Sequence, residues 1–193
     1  TLTTYQIPGA TNSSVKMDDN GNATIAYSSS NGVYVVNFDA AAGTMGSPTQ
    51  VYSYRYGDDP VVLARNSSGQ MALAFSDNFL DYNSYVSIFN PQTQAWSQPS
   101  VISTDPLYPS YDIQVEITET GDVLTAYEEN GRIYTNRYSS ASNTWQGASE
   151  RNPGGSGYKR PYLTVNKNGQ TALSYMKFST IYLHFYKNNA WTL

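Results

Sequence analysis

Four segments of the chain repeat one pattern, and an internal repeat limits the possible folds before any single residue does. Val15–Tyr27, Leu63–Phe75, Val115–Tyr127 and Leu163–Tyr175 each read as strand, tight turn, strand. The pairs Asn20-Gly21, Ser68-Gly69, Thr120-Gly121 and Asn168-Gly169 supply the positive φ that a short hairpin requires. A third strand follows in each repeat, with Tyr34, Tyr85, Tyr134 and Tyr182 in one column and Phe38, Phe89, Tyr138 and Tyr186 in another. A polar turn then leads to a large side chain (Met45, Trp96, Trp145 or Trp191) and a looser fourth strand. No stretch keeps a helical period. Four strands per unit of about 45–50 residues predict an all-β fold, a four-bladed β-propeller with four antiparallel strands per blade.

The turn glycines lie 48, 52 and 48 residues apart, and the two chain ends together make up 45 residues, one further period. This predicts a ring closed by the N-terminal strand, residues 2–7, which completes the last blade and removes the open sheet edges. The chain then reads as one domain with repeats at approximately 11–57, 58–108, 109–157 and 158–193 plus 1–10. A piece of a larger propeller, or a half-ring that dimerises, shows the same arithmetic, so both stay open beside the closed ring. The first residue is Thr1 rather than Met, which reads as a processed or excised chain.

The glycine turn, the Ala-Tyr ending of the second strand and the late Trp resemble the repeats of microbial β-propeller proteins in general. The resemblance covers essentially the whole chain and implies architecture alone. The Asp box of sialidases is absent, with Asp39-Ala-Ala-Ala-Gly-Thr-Met45 only a faint echo of it.

Composition narrows the function. Aromatic residues make up 14% and charged residues 13%, the reverse of a disordered chain. With no Cys, disulfides, thiolate catalysis and Cys-based zinc sites are excluded. A net charge of -4 speaks against nucleic acid as a partner, and no apolar run is long enough for membrane insertion. The Tyr-, Ser-, Thr- and Asn-rich, Cys-free composition fits a secreted or cell-surface (extracellular) protein. The sequons at Asn12, Asn22 and Asn66 matter only in a eukaryotic secretory route. Neither a cofactor nor a metal is implied. A monomer or small homo-oligomer is expected.

Loops carry function on a rigid scaffold, and the loops entering each inner strand share one face with those joining second to third strands. That face gathers Tyr82, Tyr111, Tyr158, Arg160, Asp59, Asp112, Glu128 and Lys177 as candidate ligand-binding residues. Aromatic rings beside carboxylates, amides and a guanidinium suit a sugar, whose CH faces stack while its hydroxyls meet planar polar groups. The bland alternative is that the tyrosines cap the blades and the charges are solvated. The opposite face offers turns with fewer groups able to grip a ligand. Lys16 and Glu116, from opposite repeats, are expected to meet across the central channel.

His184, the only histidine, is read as structural, since a lone strand His builds neither a multi-His metal site nor a loop-mouth triad. Asp18-Asp19-Asn20-Gly21-Asn22 is a hairpin turn rather than a calcium loop, because its Gly is misplaced and the twelfth position is Ser29. The expected function is a non-catalytic binding module, with lectin-like recognition of a glycan or glycosylated protein on the loop face. Two alternatives stand beside it: a protein–protein interaction scaffold using Phe79 and Leu80, and a carbohydrate-active enzyme with paired carboxylates such as Asp112 and Glu128.

Overall fold

The computed structural model describes residues 4–53, 60–77, 81–152, 154–187 and 190–192. Its described residues form four antiparallel sheets, one per repeat, and no helix. The first holds β1 (Ala10–Met17), β2 (Ala23–Ser29), β3 (Gly32–Asp39), β4 (Thr44–Met45) and β5 (Thr49–Ser53). The second holds β6 (Val61–Arg65), β7 (Met71–Asp77), β8 (Asn83–Asn90), β9 (Ala95–Trp96) and β10 (Ser100–Val101). β11 (Ser110–Ile117), β12 (Val123–Glu129), β13 (Arg132–Ser139), β14 (Thr144–Trp145) and β15 (Ser149–Glu150) make the third. The fourth has β16 (Tyr158–Val165), β17 (Thr171–Lys177), β18 (Thr180–Lys187) and β19 (Ala190–Thr192).

The predicted outer strand is split in two. In the first three blades the chain pairs briefly with the third strand at Met45, Trp96 or Trp145, leaves the ladder, and pairs again further along as β5, β10 or β15. The large side chain packs on the aromatic opposite it, as in Phe89–Trp96 and Tyr138–Trp145, with ring centroids 5.3 and 5.6 Å apart. The repeated turn carries a repeated device. Asp18, Asn66, Thr118 and Asn166 each accept the backbone N–H four residues on, at 2.9–3.0 Å, through a side-chain oxygen. The Asp18 carboxylate is occupied in this way, as a hairpin turn requires.

Adjacent blades stack through alternating faces, since strand side chains point to opposite sides in turn. One core joins Ala26, Val33 and Val35 of the first blade to Leu63, Leu73 and Phe75 of the second. A second joins Ala72, Ala74 and Val86 to Val115, Ile117 and Tyr127. The third joins Leu124, Ala126 and Ile133 to Leu163, Leu173 and Tyr175. The inner strands β1, β6, β11 and β16 contact one another in that order.

Closure by the N-terminal strand is not seen among the described residues. Residues 4–9 form no strand, and the Tyr5 ring packs on Phe38 of the first blade, 5.4 Å between centroids. The fourth sheet has no counterpart of β5, β10 and β15 among the described residues. Val15 and Met17 on β1 stay exposed, as do Ile181, Leu183 and Phe185 on β18. Repeat arithmetic counts strands, whereas curvature depends on the wedge between neighbouring blades, which spacing does not encode. No pairing between the first and fourth sheets is seen among the described residues.

Candidate functional site

The inner strands of blades three and four begin with the same irregularity. Register shifts fall between Tyr111 and Gln114 and between Lys159 and Tyr162. Asp112 and Arg160, at the same repeat position, take left-handed backbone with φ of 52° and 54°. Bulges of this kind re-aim side chains and recur beside functional sites. Asp tolerates the left-handed region by local hydrogen bonding, but for Arg it costs about 1–2 kcal/mol.

This bulge links the two blades. The Arg160 N–H donates to Asp112 Oδ2 at 3.2 Å, across the gap between the blades. Tyr111 pairs in register with Glu128, on the rim of the same sheet. Burial pushes the Glu128 carboxyl up, the Gly131 N–H at 2.6 Å partly offsets it, the Asp112 charge adds to it, and Lys159 opposes it. Asp112, Tyr111 and Arg160 are exposed, and Glu128 is half-buried. The sequence reading did not single out Lys159. It neighbours Arg160 directly, and its charge acts on Glu128 although no local pattern in the sequence signals it.

Other candidates fall elsewhere. Tyr158 is only 3% exposed and forms edge contacts with Tyr175 and Tyr182, while Lys177 Nζ sits 4.4 Å from its ring centroid. Its ring belongs to the core, so it does not offer a stacking face, and Lys177 is committed to it as a cation–π partner. Tyr82, at φ 55°, makes no hydrogen bond or ring contact with the Asp112 cluster among the described residues. Asp59, Phe79 and Leu80 lie outside the described residues.

Lys16 and Glu116 sense each other without a direct ion pair among the described residues. Burial raises the Glu116 carboxyl, and the Lys16 charge pulls it back. His184 is buried, with Nε2 2.7 Å from Tyr175 Oη and the two rings stacked. A buried carboxylate that the sequence reading passed over is Glu129, which accepts the Thr104 and Asp105 N–H groups and the Thr104 hydroxyl. Strand parity decides that Glu128 faces the rim and Glu129 the interior.

The opposite end also holds a cleft, of about 370 Å³, lined by Asp122, Arg137, Gln170 and Tyr186. This end was expected to offer little. Its charges are already matched, with Arg137 paired to Asp122 and stacked over Tyr186 at 5.4 Å. The cleft is therefore less open to a ligand's polar groups than the Asp112 rim, where no hydrogen bond to the Arg160 side chain is seen among the described residues.

No protein-family model matches the chain, and no curated protein matches it in sequence. Solved structures do. A polysaccharide lyase, an ulvan lyase of family PL25, superposes with a TM-score of 0.65 at 11% identity, covering 90% of this chain and 51% of that one. A Dyadobacter fermentans protein of unknown function gives 0.62 at 10% identity, over 90% and 58%. A Penicillium chrysogenum α-L-arabinanase complexed with arabinobiose gives 0.57 at 11% identity, over 96% and 65%. The chain thus spans roughly half to two thirds of the length of these neighbours. At such identities the likeness speaks to fold alone, and that fold is propeller-like.

Proposed function

We propose that this chain is a carbohydrate-recognising propeller unit that binds sugar at the rim where Tyr111, Asp112, Glu128 and Arg160 converge. The observation that carries the reading is the left-handed bulge at Arg160, a strained position whose backbone N–H reaches Asp112, beside the sheet that carries the exposed Tyr111 ring opposite Glu128. Planar charged groups next to an aromatic face match the alternation of hydroxyl and CH surface on a pyranose or furanose. An arabinanase and an ulvan lyase among the structural neighbours support a sugar polymer as the ligand class. Binding without turnover is the main reading, and a secreted or cell-surface location accompanies it.

The test is calorimetric titration with arabino-oligosaccharides and with acidic, sulfated oligosaccharides. Saturable binding that weakens about tenfold or more in Asp112→Asn and in Tyr111→Ala supports the rim. Binding that neither substitution changes removes it. The raised proton affinity of Glu128 beside Asp112 favours one second reading, a carboxylate pair that splits a glycosidic bond. Release of new reducing ends by the wild type, lost in both Asp112→Asn and Glu128→Gln, would replace the binding module by an enzyme.

A further inference from the structure

In each of the first three blades the forward face, the one turned toward the next blade, is covered. Val33 and Val35, Ser84 and Val86, Ile133 and Thr135 occupy the same two third-strand positions and are all buried. The fourth blade places Ile181 and Leu183 there, followed by Phe185, and these are 69%, 48% and 48% exposed. Tyr162 on β16 lies on the same face, because Tyr162 and Leu183 both pair with Ser174 in register, and it is 70% exposed. The blade left uncovered among the described residues thus has the more apolar column. A hollow of about 350 Å³ opens on it, lined in part by Val165, Ala172 and Phe185.

The rearward face of the first blade is the complement. Val15 and Met17 are 57% and 66% exposed, although Val115 and Ile117 at the same repeat positions are buried. The first-blade face carries no acidic or basic side chain on its three long strands, and the fourth-blade face carries two exposed lysines, Lys159 and Lys187, at its two ends. The apolar centre of each can therefore be desolvated without stranding a charge, since the two lysines sit at the margin where their ammonium groups can stay in solvent. A contiguous apolar surface of this kind marks an interface.

We propose that the free face of the fourth blade packs against the free face of the first blade of a second copy, repeating in trans the interface that joins successive blades in cis. One chain carries both halves, and each half matches a partner surface already used three times in the structure. The association is head-to-tail: two copies that meet at both junctions close a ring, and copies that meet at one continue as a chain. The proposal does not depend on sugar binding.

The experiment is light-scattering mass and sedimentation of the whole chain across micromolar concentrations, for the wild type, Met17→Asp and Leu183→Asp. Both positions are exposed, so the fold survives, and circular dichroism checks it. The wild type forms dimers or larger species. Each variant alone loses self-association, with its dissociation constant raised about a hundredfold or more. An equal mixture of the two variants recovers a dimer, because one supplies an intact first blade and the other an intact fourth. A wild type that stays monomeric to about 100 µM overturns the proposal. So does loss in Leu183→Asp alone, which marks a symmetric pairing of fourth blades, or a mixture that recovers nothing.

Discussion

Arg160 and Asp112 occupy the same position in successive repeats, share left-handed backbone, and are joined by an N–H···Oδ2 hydrogen bond of 3.2 Å. A repeat position that only packed would be filled by a residue at ease there. Gly suits this backbone at no steric cost, yet the fourth blade has Arg. Arg160→Gly relieves the strain but adds freedom to the unfolded chain, so a net gain of about 0.5–1 kcal/mol is expected. Thermal unfolding should rise by a few degrees while sugar affinity falls about tenfold. A variant less stable than the wild type would mean that the Arg160 side chain holds the blade in place.

His184 governs a pH dependence. Tyr175 Oη donates to the Arg151 carbonyl at 3.0 Å, so the neutral imidazole must donate from Nε2 to satisfy the 2.7 Å contact. Burial lowers its pKa, and the Arg151 charge lowers it further. A histidine depressed in the folded state is protonated more readily when unfolded. Stability is therefore intact above the unfolded value of about 6.5 and declines as pH falls below it, levelling off once the folded form also titrates. Denaturant unfolding of His184→Gln, compared with wild type between about pH 7 and 5, should show that part of the slope removed. Equal slopes would place the proton uptake elsewhere.

The blades were legible in the sequence because every repeat states the same local rules. Gly21, Gly69, Gly121 and Gly169 all carry the positive φ expected of them, between 75° and 87°. The late Trp residues and the Tyr column pack as their recurrence implied. The exposure of Ile181 and Leu183 was not legible, since both look like core residues in sequence and no neighbouring blade covers them among the described residues. At the rim, the Arg160 backbone N–H reaches Asp112, and the Asp112 charge acts on Glu128. Tyr158 packs instead on Tyr175 and Tyr182: a Tyr that opens a strand and a Tyr on a loop look alike in sequence, and only the tertiary packing separates them.

Gly32 tests the split outer strand. At φ 142° it faces β5 so closely that a Cβ would lie 2.0 Å from the Tyr52 carbonyl oxygen, and backbone is what it meets. Gly32→Ala must push β5 off the ladder, at a cost of about 2–3 kcal/mol. Gly43→Ala is the control. Its φ of 65° is also left-handed, but nothing lies within 4 Å of the new Cβ, so about 1 kcal/mol is expected. Chemical denaturation of the two variants should separate them by at least about 1 kcal/mol.

The pair Asp122–Arg137 joins the turn of the third blade to its third strand, and through Tyr186 to the fourth blade. Asp122 accepts from the Ser140 N–H at 2.8 Å and the Ser140 hydroxyl at 2.9 Å, besides the guanidinium. Arg137 Nη1 in turn donates to Tyr186 Oη at 2.9 Å. Burial alone would raise the Asp122 carboxyl, but these donors and the Arg137 charge together hold it below its usual value. A carboxylate depressed in this way stabilises the fold above the unfolded pKa of about 3.9, and the contribution drains away as pH falls through the lower, folded value. Asp122→Asn keeps the size and part of the hydrogen bonding but removes the charge. With the site part-exposed, a loss of about 1–2 kcal/mol at pH 7 is expected, becoming smaller as pH is lowered to about 3. Loss of the same size at both pH values would assign the effect to packing in the turn rather than to the charge.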